Sequence, residues 1–267
     1  MFLTLMLAAA QPVAASAPSA ADPVIVDLVA GEDGQHCLPG KDICFELPET
    51  KDSGDLPTTL LVSFPTSGDT EKTSLPLPSL SDDPQGLRLW PHLVTVHRGD
   101  KGDGRQGLEF LVGLVTEQRA MYSGGGGSGS RLHLLRFGMA PHAIALGAEV
   151  LDVEWDSSLM IRACFSEQDM KDRLGACHDE YSFTGTLAAA PPDGSELPAL
   201  TYRTAAKAYP RTSRRTDDNS AKRLKKSDLS DWKDPECSYE RLLRYNPGTA
   251  RYEMDRPVPD CSDYTTP

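Results

Sequence analysis

Residues 108–137, LEFLVGLVTEQRAMYSGGGGSGSRLHLLRF, contain the pattern that decides the fold class. Two apolar runs, at 108–116 and 131–137, flank a glycine-rich centre. Residues 131–135 partly alternate between polar and apolar side chains, as half-buried strands do. The stretch therefore predicts two strands joined by a flexible connection at the glycine run.

Runs of the same kind recur on both sides of this stretch, bounded by Gly, Pro, Asp and Ser. They lie at 59–64, 87–97, 159–165, 181–187 and 200–204. No segment keeps helical periodicity beyond about three turns, whereas an α/β fold needs long helices between its strands. We predict an all-β protein, with sandwich- or barrel-like antiparallel sheets, one short helix and a C-terminal hairpin bracketed by a disulfide.

Six cysteines form an even set, which favours disulfide bonds in an exported chain. Zinc fits their spacing poorly, because no C-x-x-C pair is present. The cysteines fall into three sequential couples, so pairing within each couple is the simplest of about 15 arrangements. The predicted bonds are Cys37–Cys44, Cys164–Cys177 and Cys237–Cys261.

The residues between the paired cysteines support this pairing. A Pro-Gly dipeptide at 39–40 predicts a turn within the first couple. Within the second, Ser166 can cap a short helix that Gly175 would end. The third couple brackets two candidate strands, 239–245 and 250–254, which predict a hairpin.

The N-terminal residues predict export. Residues 2–10, FLTLMLAAA, form an apolar run with the length of a signal-peptide core, shorter than the roughly 20 residues that span a bilayer. The small residues at 19–21 favour cleavage before Asp22, and no cysteine nearby could carry a lipid. We expect a soluble product without a transmembrane segment. Scarce Ile and Asn are typical of a GC-rich bacterial genome, which favours the periplasm over secretion.

The charge distribution limits the classes of partner that the protein can bind. A formal net charge of −12 argues against nucleic acid, which needs a positive face. Residues 207–226 instead carry a net positive charge, with eight basic residues against two acidic ones. This segment predicts binding to an anionic envelope polymer. The alternative is that it lies along the acidic body of the same protein. The candidate anion-binding residues are Arg211, Arg214, Arg215, Lys222, Arg223, Lys225 and Lys226.

These features predict four parts of the chain. They are a signal peptide at 1–21, a β-rich domain at 22–206, a basic, flexible connector at 207–235 and a disulfide-stapled hairpin at 236–267.

Familiar catalytic and ligand-binding motifs do not match. The glycine run lacks the Lys-Ser/Thr step and following helix of a phosphate loop, and residues 100–105 have the wrong register for a calcium loop. The triplet His178-Asp179-Glu180 is best explained as a polar turn, because adjacent residues rarely face each other. No metal-binding motif joins the histidines, which are His36, His92, His97, His133, His142 and His178. We therefore predict no metal or other cofactor.

The preferred hypothesis is a non-catalytic binding or interaction protein of the bacterial envelope, whose partner is an unidentified protein or an anionic polymer. The alternative is a carboxylate-dependent hydrolase of envelope glycans. A cleft with two acids about 5 to 9.5 Å apart would favour the enzyme, and a flat β surface would favour binding. The candidate acids for this chemistry lie in or beside predicted strands, and they are Glu109, Glu117, Glu149, Asp152 and Glu154.

Overall fold

Antiparallel strands form most of the described chain, in one ten-stranded and one five-stranded sheet. The computed structural model describes residues 24–31, 34–40, 43–49, 56–64, 72–80, 84–96, 108–140 and 143–267. The predicted signal peptide, the stretch at 100–105, His97 and His142 lie outside these residues.

The small sheet is a meander, in which each strand pairs with the next one along the chain. Its side chains Phe45, Leu60 and Val62 are buried against the large sheet. The five strands are β2 (Val29–Ala30), β3 (His36–Cys37), β4 (Cys44–Glu46), β5 (Thr59–Ser63) and β6 (Lys72–Pro76).

The large sheet has the order β1-β7-β8-β9-β10-β11-β12-β14-β15, and β13 shares the outer edge of β12 with β14. Its strands are β1 (Ile25–Asp27), β7 (Gly86–Thr95), β8 (Leu108–Tyr122), β9 (Gly125–Ala140), β10 (Ala143–Arg162), β11 (His178–Ala189), β12 (Leu200–Tyr209), β13 (Trp232–Lys233), β14 (Glu240–Asn246) and β15 (Arg251–Met254). The predicted all-β class is confirmed.

The centre of the large sheet is buried on both faces. On β8, Phe110 and Val112 contribute to the core shared with the small sheet. The alternate residue Leu111 contributes to a second core, which also contains Tyr202 of β12 and Leu243 of β14. Because strands far apart in the sheet order share this second core, the large sheet must curl over itself, as a barrel-like fold requires.

The three predicted disulfides are present, and so are the local structures within them. The bonds are Cys37–Cys44, Cys164–Cys177 and Cys237–Cys261. Ser166 caps helix α1 (Glu167–Asp172), and Gly175 has a φ of 85° beyond its end. The hairpin β14–β15 lies inside the third bridge. A second short helix, α2 (Ser262–Thr265), was not predicted.

The glycine run differs from the prediction. It belongs to β9 and pairs with both β8 and β10, instead of forming a flexible connection. Strand β10 starts at Ala143, well before the predicted run at 159–165. The glycines are needed because other chain segments come very close: a Cβ at Gly127 would lie 2.6 Å from the carbonyl of Ser158, and one at Gly129 would lie 2.5 Å from that of Thr265.

We expect Gly129→Val to displace α2 and to lower the free energy of unfolding by about 1–3 kcal/mol, the usual cost of overpacking. Gly138→Val is the matched control, because Gly138 lies on the same strand and a Cβ there meets nothing within 4 Å. Urea denaturation of both variants checks this expectation. Equal stability of the two variants would contradict the tight contact between β9 and α2.

Candidate functional site

A buried histidine lies beside two carboxylates on the neighbouring strands β9 and β10. His133 is opposite Asp152 in the strand register, and an irregularity next to Glu149 brings that side chain to the same place. The His133 side chain is fully buried, whereas those of Glu149 and Asp152 are 16% and 28% exposed. The cluster therefore has a closed inner side and an open outer side.

Both nitrogens of the His133 ring have partners. Nδ1 lies 2.8 Å from Oε2 of Glu149 and 3.7 Å from Oδ1 of Asp152. Nε2 lies 2.9 Å from Oγ1 of Thr116, a buried residue on β8. The ring is thus held from three strands, β8, β9 and β10.

Two arginines border the carboxylates. Arg131 donates from Nε to Oδ1 of Asp152 over 2.8 Å and also pairs with Glu154. Arg251, on β15, pairs with Oε1 of Glu149. Each carboxylate is therefore held in one orientation by a charged hydrogen bond.

The pKa values of Glu149 and the neighbouring Glu154 are shifted in opposite directions. Burial would raise the pKa of Glu149, but hydrogen bonds from His133 and Arg251 outweigh it, so its pKa lies below the ordinary value. Burial raises the pKa of Glu154 above its ordinary value, although Arg131 opposes the shift. Glu149 is therefore a carboxylate at neutral pH.

The sequence indicated the acids and the histidine as separate candidates, but it did not predict that they lie together in the structure. The partner strand β10 was not predicted over 143–158, so the register that joins His133 to Glu149 and Asp152 could not be derived. The local signal was the alternation of Arg131 and His133 with Leu132 and Leu134, which indicated one shared face.

The other acids selected from the sequence are paired with arginines. Glu109 lies 2.5 Å from Arg136 Nη2, and Glu117 lies 2.9 Å from Arg119 Nε. The five acids thus all have basic partners.

The basic segment, residues 207–226, has a defined conformation rather than that of a free linker. It begins within β12 and continues through two 3-10 turns, Asn219–Ala221 and Lys226–Asp228. Its residues Ser213, Asn219 and Leu224 are buried. The sequence predicted a flexible connector here. In the structure, buried polar and apolar side chains hold the charged residues against the rest of the protein.

Three of the seven candidate anion-binding residues are half-buried and make internal contacts. Arg214 stacks over Trp232, with its Cζ 3.6 Å from the ring centroid. Arg215 donates to backbone carbonyls near the C-terminus, including that of Ser262, and Lys222 pairs with Asp217 over 2.7 Å. The other four side chains are exposed, and they are Arg211, Arg223, Lys225 and Lys226.

A buried ion pair anchors this segment. Arg173 and Asp179 lie 2.6 Å apart, with side chains 0% and 3% exposed. Asp179 also accepts from Ser213 Oγ, and Arg173 donates to the carbonyl of Asn219. Asp179, from the triplet 178–180, is therefore a structural residue that joins the second disulfide loop, β11 and the basic segment.

A shallow depression of about 330 Å³ lies on the C-terminal hairpin. Leu242, Tyr245 and Met254 contribute its apolar surface, and Arg244 and Glu253 are among its polar lining residues. It contains none of the residues selected from the sequence.

Comparisons with family models, curated proteins and solved structures found no match to this chain. Within the described residues, no helix is both long and apolar enough to cross a membrane.

Proposed function

We propose that the chain is an exported, non-catalytic binding protein of the bacterial envelope, and that it binds an anionic polymer through its basic segment. The observation that carries this proposal is the separation of the basic residues into two groups. Arg214, Arg215 and Lys222 are half-buried in internal contacts, while four other cations are exposed on an ordered support. Ordering the support in advance reduces the entropic cost of binding.

The four exposed cations lie on connected parts of the segment. The backbone N–H of Arg211 donates to the carbonyl of Asp228 over 3.0 Å, which links it to the turn that contains Lys226. Lys225 precedes this turn, and Arg223 lies two residues earlier. Clustered cations of this kind attract polyanions by releasing their counterions.

The acids near these cations already have other roles. Asp217 pairs with Lys222, Asp218 accepts from Ser220, and Asp228 accepts from the backbone N–H of Lys225. Asp172 pairs with Arg223 only over 3.4 Å, and the Arg223 side chain is 86% exposed. An anionic ligand can therefore reach the cations without breaking a buried contact.

Export is supported by the three disulfides, because such bonds persist in oxidising compartments. We place the protein in the periplasm, with secretion as the alternative. Hydrolysis of envelope glycans is less well supported, since the acids selected for it are paired with basic side chains.

The test replaces the four exposed cations together, in R211Q/R223Q/K225Q/K226Q, and measures retention on lipopolysaccharide beads and on heparin beads at low salt. Each surface cation near an anionic layer contributes about 1 kcal/mol. We therefore expect the affinity to fall on the order of a hundredfold or more. Point variants are preferable to deletion, because the segment contributes buried residues to the fold.

The matched control is R119Q/R203Q/R244Q/R256Q, which changes the net charge equally but removes exposed arginines elsewhere. The control should be retained like the wild-type protein. Equal retention of both quadruple variants would reject the basic segment as the binding site. Loss of retention on lipopolysaccharide beads alone would identify the lipid-linked polymer rather than polyanions in general.

A further inference from the structure

We propose that His133, Glu149 and Asp152 form a binding site for a divalent transition metal ion, with zinc as the best match. Imidazole and carboxylate groups are ordinary zinc ligands, and three protein ligands leave a fourth position for water. This inference is independent of the basic segment, which shares no residue with the cluster.

The spacing of the ligand atoms suits a small tetrahedral ion. One ligand atom from each residue can be chosen so that all three lie within 4.8 Å of one another. With bonds of about 2.0 to 2.2 Å to nitrogen and oxygen, neighbouring ligand atoms lie roughly 3.3 Å apart in a tetrahedral site. His133 Nδ1 lies 2.8 Å from Glu149 and 3.7 Å from Asp152, so small side-chain shifts would accommodate the ion.

The contact with Thr116 prepares the ring for this role. Its Oγ1 can accept a hydrogen bond from the N–H at Nε2 of His133, 2.9 Å away. With the ion bound, Nδ1 would coordinate it through the lone pair directed at the two carboxylates, in place of its contact with Glu149. Histidines that bind metals usually donate their second N–H to an oxygen, which fixes the ring as it is fixed here.

Access and charge also agree with a metal ion. The ring is fully buried, but both carboxylates are partly exposed, so an ion and a water ligand can enter from the outer side. Two carboxylates can neutralise a divalent ion. Arg131 and Arg251 weaken the attraction through their positive charge, yet they also hold the carboxylate oxygens in place.

The test uses the full-length, oxidised, untagged protein after treatment with EDTA. Titration with Co²⁺, a spectroscopic substitute for Zn²⁺, should give visible d–d bands of a tetrahedral site that saturate at one ion per chain. Zn²⁺, a d¹⁰ ion without d–d bands, should displace the cobalt and abolish this absorption. Absence of one-to-one binding by the wild-type protein would overturn the proposal.

Three shape-conserving variants locate the site. We expect Thr116→Val to weaken Co²⁺ binding about tenfold or more, because the His133 ring loses the hydrogen bond that orients it. Glu149→Gln and Asp152→Asn should each weaken Co²⁺ binding at least as much, because each removes a ligand. Unchanged Kd values and spectra in the two carboxylate variants would overturn the proposal. Near-UV circular dichroism checks that each variant keeps the wild-type packing.

His92→Gln is the matched control. His92 forms a similar pair with Asp27, with Nδ1 2.7 Å from Oδ1, but the Asp27 side chain is 86% exposed and none of the residues that the structure describes adds a third ligand. We expect this variant to bind Co²⁺ like the wild-type protein. Loss of binding in His92→Gln alone would place the ion elsewhere and overturn the assignment to His133.

Discussion

Replacing Asp179 with alanine is expected to lower the free energy of unfolding by about 3–5 kcal/mol. The substitution leaves the guanidinium of Arg173 buried without its carboxylate, and removal of one partner of a buried ion pair is costly for that reason. Chemical denaturation under oxidising conditions measures the loss. Asp179→Asn should cost less, since its amide oxygen can still accept a hydrogen bond.

The effect should be large because three separate segments meet at this pair. Arg173 ends helix α1 and donates to the carbonyl of Ala176, inside the second disulfide loop. Asp179 belongs to β11 and accepts from Ser213 of the basic segment. Loss of the carboxylate therefore loosens the support of the proposed polyanion site as well as the disulfide loop.

Glu240→Ala is the control for this prediction. Arg203 and Glu240 lie 2.5 Å apart on the paired strands β12 and β14, but their side chains are 60% and 57% exposed. Exposed ion pairs contribute about 1 kcal/mol or less, because water screens the charges. If Asp179→Ala were as mild as Glu240→Ala, the buried pair would not anchor the segment.

Features that depend on near neighbours in the chain could be predicted from the sequence. Ser166 and Gly175 mark the ends of α1, and the sequential cysteine couples form the disulfides. In each case the contacting residues are separated by a short, recognisable turn or helix. The physical cause therefore lies within a window that a sequence pattern covers.

Features that depend on distant strands could not be predicted. The glycine run forms strand because β8, β10 and α2 approach it closely, and those contacts come from remote parts of the chain. Strand β10 was missed over 143–158 because Gly147, Asp152 and Ser157 interrupt its apolar pattern. The meeting of His133 with its carboxylates depends on that strand and its irregular register.

The basic segment also combines a feature that the sequence predicts with features that depend on distant strands. Its composition indicated a polyanion site, and the exposed residues Arg223 and Lys226 fit that hypothesis. Composition alone could not separate them from Arg214, which stacks on Trp232, because that contact depends on how β13 pairs with β12. A charged segment with few apolar residues was expected to be mobile, but a buried ion pair and buried polar side chains replace an apolar core here.

Removal of the third disulfide, in C237A/C261A, is expected to lower the free energy of unfolding by about 3.5 kcal/mol. The chain-entropy relation ranks the bonds by loop length, and this bond joins residues 24 apart, against 13 and 7 for the other two. The corresponding losses are about 3 kcal/mol for C164A/C177A and about 2.5 kcal/mol for C37A/C44A. Urea denaturation of the three double variants measures the order.

Contacts in the folded state reinforce this order. Cys37 and Cys44 are direct partners on the paired strands β3 and β4, so backbone hydrogen bonds already hold that loop. The third bond instead fixes the start of α2, where Tyr264 donates to Asp234 over 2.9 Å and packs against Tyr181. If C37A/C44A were the most destabilised variant, loop entropy could not be the main term, and the small sheet would depend on its disulfide for its own pairing.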